Sequence, residues 1–499
     1  MDIFQFFKDR FKSAFYIYES SLRCKNGNYF FLVKDLVKHQ DKKLVAILSK
    51  DDFSEEITFF ETEKINLNKN IYWLYLTPLN FENMKFLMKI FKEPGISVCL
   101  KDASFGTGDR LGIVTAAHLK AFESGNIFPV LAQQSVRELG KTGRTWEDVI
   151  SSAYWGCIEA GYNGFFGADA DHVKDYDNLK AAARAGFLMF TIDSSDYIKK
   201  EDMYLSSSEI GNYFVKSDKK HNFKKNYLNK KIKIAGNFFE FEEDILKFLV
   251  YTYMDAVIFV SNCYELLKEN CRQVFDFEVS MDEIAQPVTP IAHIFLVEEF
   301  RRLGVEFKNL ALRFVGKWEK AVDYIGDLSE FENQLKIHAG IVKKIGGYKL
   351  SLHSGSDKFL IYPVFSSVNE GLFHIKTSGV SWLEAMRVVA ENDPCMFREI
   401  FNFSLKNFEN ERVFYDVSTD ITKIRDINDM SDNELVNFMN FEGARQVLHI
   451  NYGAILDLKD KDGANIFKDR IYNLLLNRED EHYMFVTNQI KKHLELLNA

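Results

Sequence analysis

Residues 164–196 read GFFGADADHVKDYDNLKAAARAGFLMFTIDSSD, and this stretch decides the fold. A short run, Gly164–Gly167, gives way to the polar ADADH. A helical window follows at Asn178–Ala185, and a second run, Phe187–Thr191, ends in IDSSD. Parallel strands need a crossover long enough to hold a helix, so this alternation reads as one βαβ unit.

The same pattern extends in both directions. Upstream, Ser97–Leu100 precedes KDASFGTGD and Phe128–Leu131 precedes AQQS. Downstream, Val274–Phe277 precedes EVSMDE, Leu310–Phe314 precedes VGKW, Tyr348–Leu352 precedes HSGSD and Leu372–Ile375 precedes KTSG. Helical windows separate them at Thr115–Glu123, Trp146–Ala160, Glu242–Lys268, Pro290–Arg302, Leu328–Ile345 and Trp382–Glu391; the seventh spacer, with Pro363, is the weakest. Eight units over roughly 300 residues predict an α/β protein, a (β/α)8 TIM-like barrel. The expected organisation is an N-terminal α/β extension (1–95), the barrel (96–393) and a C-terminal helical cap (394–499). An insertion rich in Lys, Asn and Ser, at about 194–240, lengthens the fourth unit. Because it follows a strand end it is expected over the barrel mouth, as a lid or oligomer contact, or else as a solvated excursion.

The chain of 499 residues is too long for one hydrophobic core. Its 46% hydrophobic and 27% charged residues match a soluble globular protein. The net charge of −9 is spread along the chain, and mixed runs such as 216–225 read as solvated surface, so no nucleic-acid partner is expected. No apolar run approaches the roughly 20 residues of a membrane span, and the start, MDIFQFFKDRFKSAF, lacks a signal-peptide core. The six cysteines (24, 99, 157, 263, 271 and 395) form no CxxC pair, which argues against a disulfide framework or a structural zinc knot and suits a reducing, cytoplasmic location. A homo-oligomer remains an open expectation.

In such barrels the active site lies at the C-terminal strand ends, where the loops converge. Chemically capable residues crowd there: Lys101, Asp102 and Asp109; Gln133 and Gln134; Asp169, Asp171 and His172; Asp193 and Asp196; Glu278 and Asp282; Arg313 and Lys317; His353 and Asp357; His374 and Lys376. His172, His353 and His374, from strands three, seven and eight, are the candidate ligands of one divalent metal cation, imidazole being the commonest transition-metal ligand. Asp171 and Glu278 are the candidate acid–base pair, leaving the barrel in different sectors so as to flank a substrate, with Glu278 as a metal ligand the alternative. Gln133, Gln134 and Asp357 are candidate substrate contacts, and Arg110, Arg313 or Lys376 would meet a carboxylate. His293 and His338 fall inside helical windows and read as structural. The segment SFGTGDRLG (104–112) spaces its glycines G-x-G-x-x-x-G, which departs from the dinucleotide fingerprint. It is expected instead as a glycine-rich turn whose amides, with Arg110, hold an anion. GRTW (143–146) lacks the context of a P-loop.

Eight strings together, SFGTGDRLG, FPVLAQQSVREL with TGRTW, GADADHVK, FTIDSSD, FDFEVSMDE, LALRFVGKWEK, YKLSLHSGSDKF and LFHIKTSG, resemble the tagaturonate/fructuronate epimerase family. The resemblance runs nearly the whole chain apart from about 204–229. It implies a metal-dependent isomerase that interconverts the keto-hexuronates D-tagaturonate and D-fructuronate in hexuronate catabolism, with metal and acid–base residues in GADADH, FEVS and LHSGSD. The inverted carbon is β to the ketone, so enolisation alone does not acidify its C–H. Retro-aldol opening with rotation, or proton exchange from two faces, are the routes left open; transient oxidation through NAD fits least. Neutral ketohexoses as substrates, or an aldolase or isomerase on the same barrel, are the alternatives.

Overall fold

The computed structural model describes residues 3–38, 42–67, 70–123, 125–199, 207–353 and 357–498. The chain opens with a helix, Ile3–Phe11, and a five-stranded antiparallel sheet. Its strands are β1 (Phe15–Lys25), β2 (Asn28–Asp35), β3 (Lys43–Ser49), β4 (Glu61–Leu67) and β5 (Asn70–Thr77), in the order β1-β2-β3-β5-β4. Period-two alternation gives this sheet two apolar faces. Phe31, Val33, Ala46 and Leu48 close over the first helix, whereas Phe30, Leu32, Val45 and Ile47 join the core of the barrel.

A two-residue strand, β6 (Gly95–Ile96), leads into eight parallel strands: β7 (Ala103–Gly108), β8 (Phe128–Ser135), β9 (Phe165–Val173), β10 (Met189–Asp193), then, after a hairpin of β11 (Lys231–Ile234) and β12 (Asn237–Glu240), β13 (Asp276–Met281), β14 (Asn309–Leu312), β15 (Lys349–His353) and β16 (Phe373–Thr377). They pair in ring order β10-β13-β14-β15-β16-β7-β8-β9, and β9 pairs with β10 to close the barrel. Helices return the chain between strands at Thr115–Phe122, Trp146–Glu159, Tyr176–Ala185, Glu243–Asn270, Pro290–Arg302, Leu328–Ile345, Tyr362–Val368 and, after β16, Val380–Asn392. Their ends follow local chemistry. Ser135 and Thr145 each form a reciprocal capping box, with Glu138 and Asp148, and Gly186 ends its helix in the left-handed region at φ +97°.

Two sequence expectations need correction here. Ser97–Leu100 is irregular, and the first barrel strand is the glycine-rich segment itself, Ala103–Gly108. Gly106 faces β8, where an added Cβ would lie 1.7 Å from Gln133 Oε1, so glycine leaves space for the Gln133 carboxamide. Residues 104–108, expected as an anion-binding turn, instead pair into the parallel ladder with β16 and β8, and Gly112 N donates to Asp109 at 2.7 Å, as does Val114 N at 2.8 Å.

The insertion was expected at the mouth, but its described part lies on the flank. Helices Ser207–His221 and Phe223–Tyr227 bury Phe214, Phe223 and Tyr227, and the Phe223 and Phe295 rings approach to 6.1 Å. Tyr227 donates to the buried Glu299 at 2.7 Å. The aromatic side chains find their apolar partners on the outer helices, which draws the segment sideways. Residues 200–206 of the insertion and 354–356 of the HSGSD string lie outside the described residues.

Helices Pro394–Arg412, Asp432–Phe438, Glu442–Asp457 and Lys468–Asn477 build a second apolar core with Val380–Asn392. The last helix, Glu479–Leu497, packs along Thr115–Phe122. No helix of the described residues is long and apolar enough to cross a membrane.

Candidate active site

Side chains two apart on a strand share a face, so β16 presents His374 and Lys376 to the barrel interior, and β9 presents Asp169 and Asp171. The Lys376 ammonium gathers three carboxylates: Asp169 Oδ2 at 2.8 Å, Asp171 Oδ1 at 2.7 Å and Glu278 Oε1 at 3.0 Å. All four residues are buried. Burial would push the Lys376 pKa down, but the three carboxylates hold it well above the usual lysine range. Burial pushes Asp169 up to about 6, with Lys376 opposing and the neighbouring Asp171 and Glu278 charges reinforcing the rise. Burial acts the same way on Asp171 and Glu278, yet His172 and Lys376 hold Asp171 well below the usual carboxylate range, and Lys376 and His353 do so for Glu278.

Above this cluster β9 carries a bulge. Ala170 pairs with Phe190 and Val173 with Ile192, so Asp171 and His172 together face Thr191 alone. His172 adopts φ +49°, a left-handed backbone that costs a non-glycine residue about 1–3 kcal/mol and recurs at functional sites. The bulge turns consecutive side chains toward one space. His172 Nδ1 bonds to Asp171 Oδ1 at 2.7 Å, and its ring lies 4.9 Å from that of His353. His353 is held at both nitrogens, by Asp282 Oδ1 at 2.9 Å and Glu278 Oε1 at 2.5 Å. Burial would lower the pKa of both imidazoles, but Asp171 beside His172 and Asp282 beside His353 raise them.

Among the described residues two sets of possible cation donors result, His172 with Asp282 and His353, and His172 with Asp193 and Glu283, the donor atoms of each set lying within 4.8 Å of one another. Among the described residues His172 Nε2 is buried without a hydrogen-bond partner, the nearest carboxylate oxygen, Asp282 Oδ1, standing 3.6 Å away, and a cation would satisfy both. Mixed imidazole and carboxylate donors suit a divalent transition metal. His374 belongs to neither set. Its Nδ1 bonds to Ser104 Oγ at 2.8 Å, and burial lowers its pKa to about 3. It sits two residues below Lys376, sealed within the barrel. His293 and His338 bond to each other at 3.0 Å between the outer helices.

These groups open into a cavity of about 860 Å³, ample for a small sugar derivative. Asp171, His172, His353, Lys376, Gln133, Arg110 and Arg313 of the expected set line it; Glu278, Gln134 and Asp357 do not. Glu278 is fully buried and shares the Lys376 ammonium with Asp171, so the two carboxylates converge instead of flanking the cavity. Gln134 Oε1 accepts from Arg144 at 2.8 Å. Asp357 pairs with His493 at 2.9 Å and with Arg445, fastening the barrel to the C-terminal helices. Arg110 is spent on Glu138 at 2.8 Å and lies 3.7 Å over the Tyr452 ring.

Sequence reading underweighted Asp282 and Glu283, although both sit in the quoted EVSMDE string, and Asp193, the second residue of IDSSD and the last of β10. Tyr415, Asp416, His449 and Tyr452 come from the C-terminal region to roof the cavity; no sequence signal marked them. His449 reaches it because Gly379, at φ +79°, leaves room: a Cβ there would lie 2.4 Å from the imidazole.

A family model described as tagaturonate epimerase matches residues 18–497. The chain is 41% identical over 497 residues, covering 100% of both chains, to a tagaturonate/fructuronate epimerase of Thermotoga maritima. It superposes with TM-score 0.90 on the glycerol-complexed crystal structure of the fructuronate-tagaturonate epimerase UxaE from Cohnella laeviribosi, at 33% identity over 99% of both chains. The native crystal structure of that protein gives the same TM-score, 0.90, at 32% identity over 99% of both chains.

Proposed function

The chain belongs to the tagaturonate epimerase family, and from that premise we propose that it interconverts D-tagaturonate and D-fructuronate by inverting C4 in the cavity at its barrel mouth. As an epimerase it is an isomerase. The reading is carried by one observation: an ionised carboxylate, Asp171, faces the cavity while bonded to a buried ammonium and to the imidazole of His172.

A divalent cation would be held by His172, Asp282 and His353, with Asp193 and Glu283 close by, and when bound it supplies Lewis-acid polarisation of substrate oxygens. The chain's own residues handle the proton. Asp171 and Glu278 meet on one ammonium, and only Asp171 lines the cavity, which favours a single base over two bases on opposite faces. In the retro-aldol route the C4 hydroxyl proton passes to Asp171 as the C3–C4 bond opens, its electron pair moving onto the ketone. The C4 aldehyde turns over, re-addition from its other face restores the bond, and Asp171 returns the proton. Lys376 keeps Asp171 ionised between turnovers, and Glu278 orients both Lys376 and His353.

The deciding experiment is NMR of D-tagaturonate incubated with the purified protein, with and without Mn²⁺, Ni²⁺ or Zn²⁺. Metal-dependent growth of D-fructuronate signals is expected. Three-carbon fragments alone would make the enzyme an aldolase, an aldose product would make it an aldose–ketose isomerase, and an unchanged spectrum would end the proposal.

A further inference from the structure

The cavity's cations are not equivalent once their partners are counted. Arg110 is neutralised by Glu138 at 2.8 Å and Lys376 by three carboxylates. Lys174 pairs with Asp193 at 3.3 Å and Asp196 at 3.2 Å, and Arg137 with Glu283 at 3.5 Å. Arg313 stands 4.0 Å from Asp416, whose carboxylate is more than half exposed, so that pair is loose. Lys320 lines the same cavity, is only partly exposed, and makes no ion pair among the described residues.

The backbone of Lys320 is nevertheless pinned. Its N–H donates to Asp416 O at 3.2 Å, and its carbonyl accepts from Gln446 Nε2 at 3.0 Å. The preceding Glu319 accepts from Ser418 Oγ at 2.6 Å and from Gln446 Nε2 at 3.0 Å, and beneath it the buried Lys358 donates to Glu319 O at 2.9 Å and to Val322 O. A lysine with a fixed backbone, an unpaired head and a second ammonium nearby creates a local positive potential that an anion relieves. The field of Lys320 reaches Lys358 and His449, lowering the pKa of both along with burial, the larger cause.

We propose that Lys320, seconded by Arg313, is the seat of the substrate's carboxylate and sets the preference for an acidic over a neutral ketose. This rests on the epimerase reading and deepens it. The pairing of the cavity's other cations thus leaves the carboxylate at the wall formed by the loop after β14 and the C-terminal segment, apart from the Asp171–Lys376 pair that moves the proton.

The test compares Lys320→Met, Lys320→Arg and wild type on D-tagaturonate and on the neutral ketohexose D-tagatose. A charge-assisted hydrogen bond lost from a desolvated site weakens binding by roughly 10- to 100-fold. Lys320→Met should therefore raise KM for tagaturonate by that factor and lower the acid-over-neutral ratio of kcat/KM to match, while Lys320→Arg restores most of it. An equal fall on both sugars, or an undisturbed ratio, would overturn the assignment. Calorimetric binding of D-tagaturonate separates the two claims. If wild type binds the acid more tightly than D-tagatose, and Lys320→Met loses that margin, the carboxylate seat stands even where no epimerisation occurs. If wild type shows no such margin, the seat falls whatever the chemistry.

Discussion

Lys376 shows how one side chain can hold a site together. Its ammonium lies within 3.0 Å of Asp169, Asp171 and Glu278, all buried, and removing it would leave carboxylates in low dielectric without a counter-charge. Breaking a buried ion pair from one side costs about 3–5 kcal/mol. Lys376→Met is accordingly expected to lower unfolding free energy by that order and turnover by about 10²- to 10⁴-fold; equilibrium denaturation and an epimerisation assay would check both, and near-native values would remove Lys376 from the centre. His172 makes a second case. Its backbone at φ +49° is tolerated best by asparagine among non-glycine residues, so His172→Asn keeps the bulge and deletes only the imidazole. That variant and His353→Ala should stay folded by circular dichroism and lose calorimetric binding of Mn²⁺, Ni²⁺ or Zn²⁺. Retention of the cation with normal turnover would sink the donor assignment.

At the scale of elements, the insertion and the C-terminal helices exchange the roles their positions suggested. The described part of the insertion after β10 packs against the helix Pro290–Arg302 through Phe223 and Tyr227, on the flank of the barrel. Tyr227→Phe strips the hydrogen bond from Glu299 and should lower stability by about 1–3 kcal/mol, leaving kcat/KM within twofold; a tenfold change would tie the insertion to the chemistry. The C-terminal helices instead touch the site, clamped through Asp357 to His493 at 2.9 Å and to Arg445. Burial would raise the Asp357 pKa, but His493 and Arg445 hold it below the usual range. A carboxyl with a depressed folded-state pKa contributes its full stability above its unfolded value, about 3.9, and loses it as pH falls from there through the lower folded-state value. Asp357→Asn should flatten the decline of stability below about pH 5 and lower the neutral-pH denaturation midpoint. An unchanged pH profile would show that the clamp adds nothing.

For the whole molecule, three layers meet around one barrel. The N-terminal sheet lends an apolar face to the barrel core, and Lys43 of β3 bonds to Glu159 at 2.7 Å and to Tyr483 of the last helix at 2.8 Å. The second helical core roofs the cavity with Tyr415, His449 and Tyr452. A cation bound only by the folded chain stabilises it by mass action, about 2.7 kcal/mol at a hundred times Kd. EDTA is therefore expected to silence turnover and lower Tm together, and restored metal to reverse both. A Tm indifferent to metal across that range would count against the barrel-mouth site.

The amino-acid sequence alone determined the βα rhythm, because strand and helix periods are local properties written in neighbouring residues. The windows at Pro290–Arg302 and Leu328–Ile345 coincide with the helices observed. It also supplied the strings GADADH, EVSMDE and LHSGSD, whose Asp171, His172, Asp282, Glu283 and His353 line the cavity. Strand limits were less legible. Asp169, Glu278 and Lys376 lie within strands, since a barrel interior lined with polar groups breaks the apolar run before the strand ends. Only the tertiary structure decided which charges meet. That Lys376 takes Asp171 and Glu278, that Glu138 neutralises Arg110, and that Asp357 turns to His493 are contacts between residues 28 to 205 positions apart. Such pairings depend on barrel closure and on where the C-terminal helices dock, and no local pattern encodes either.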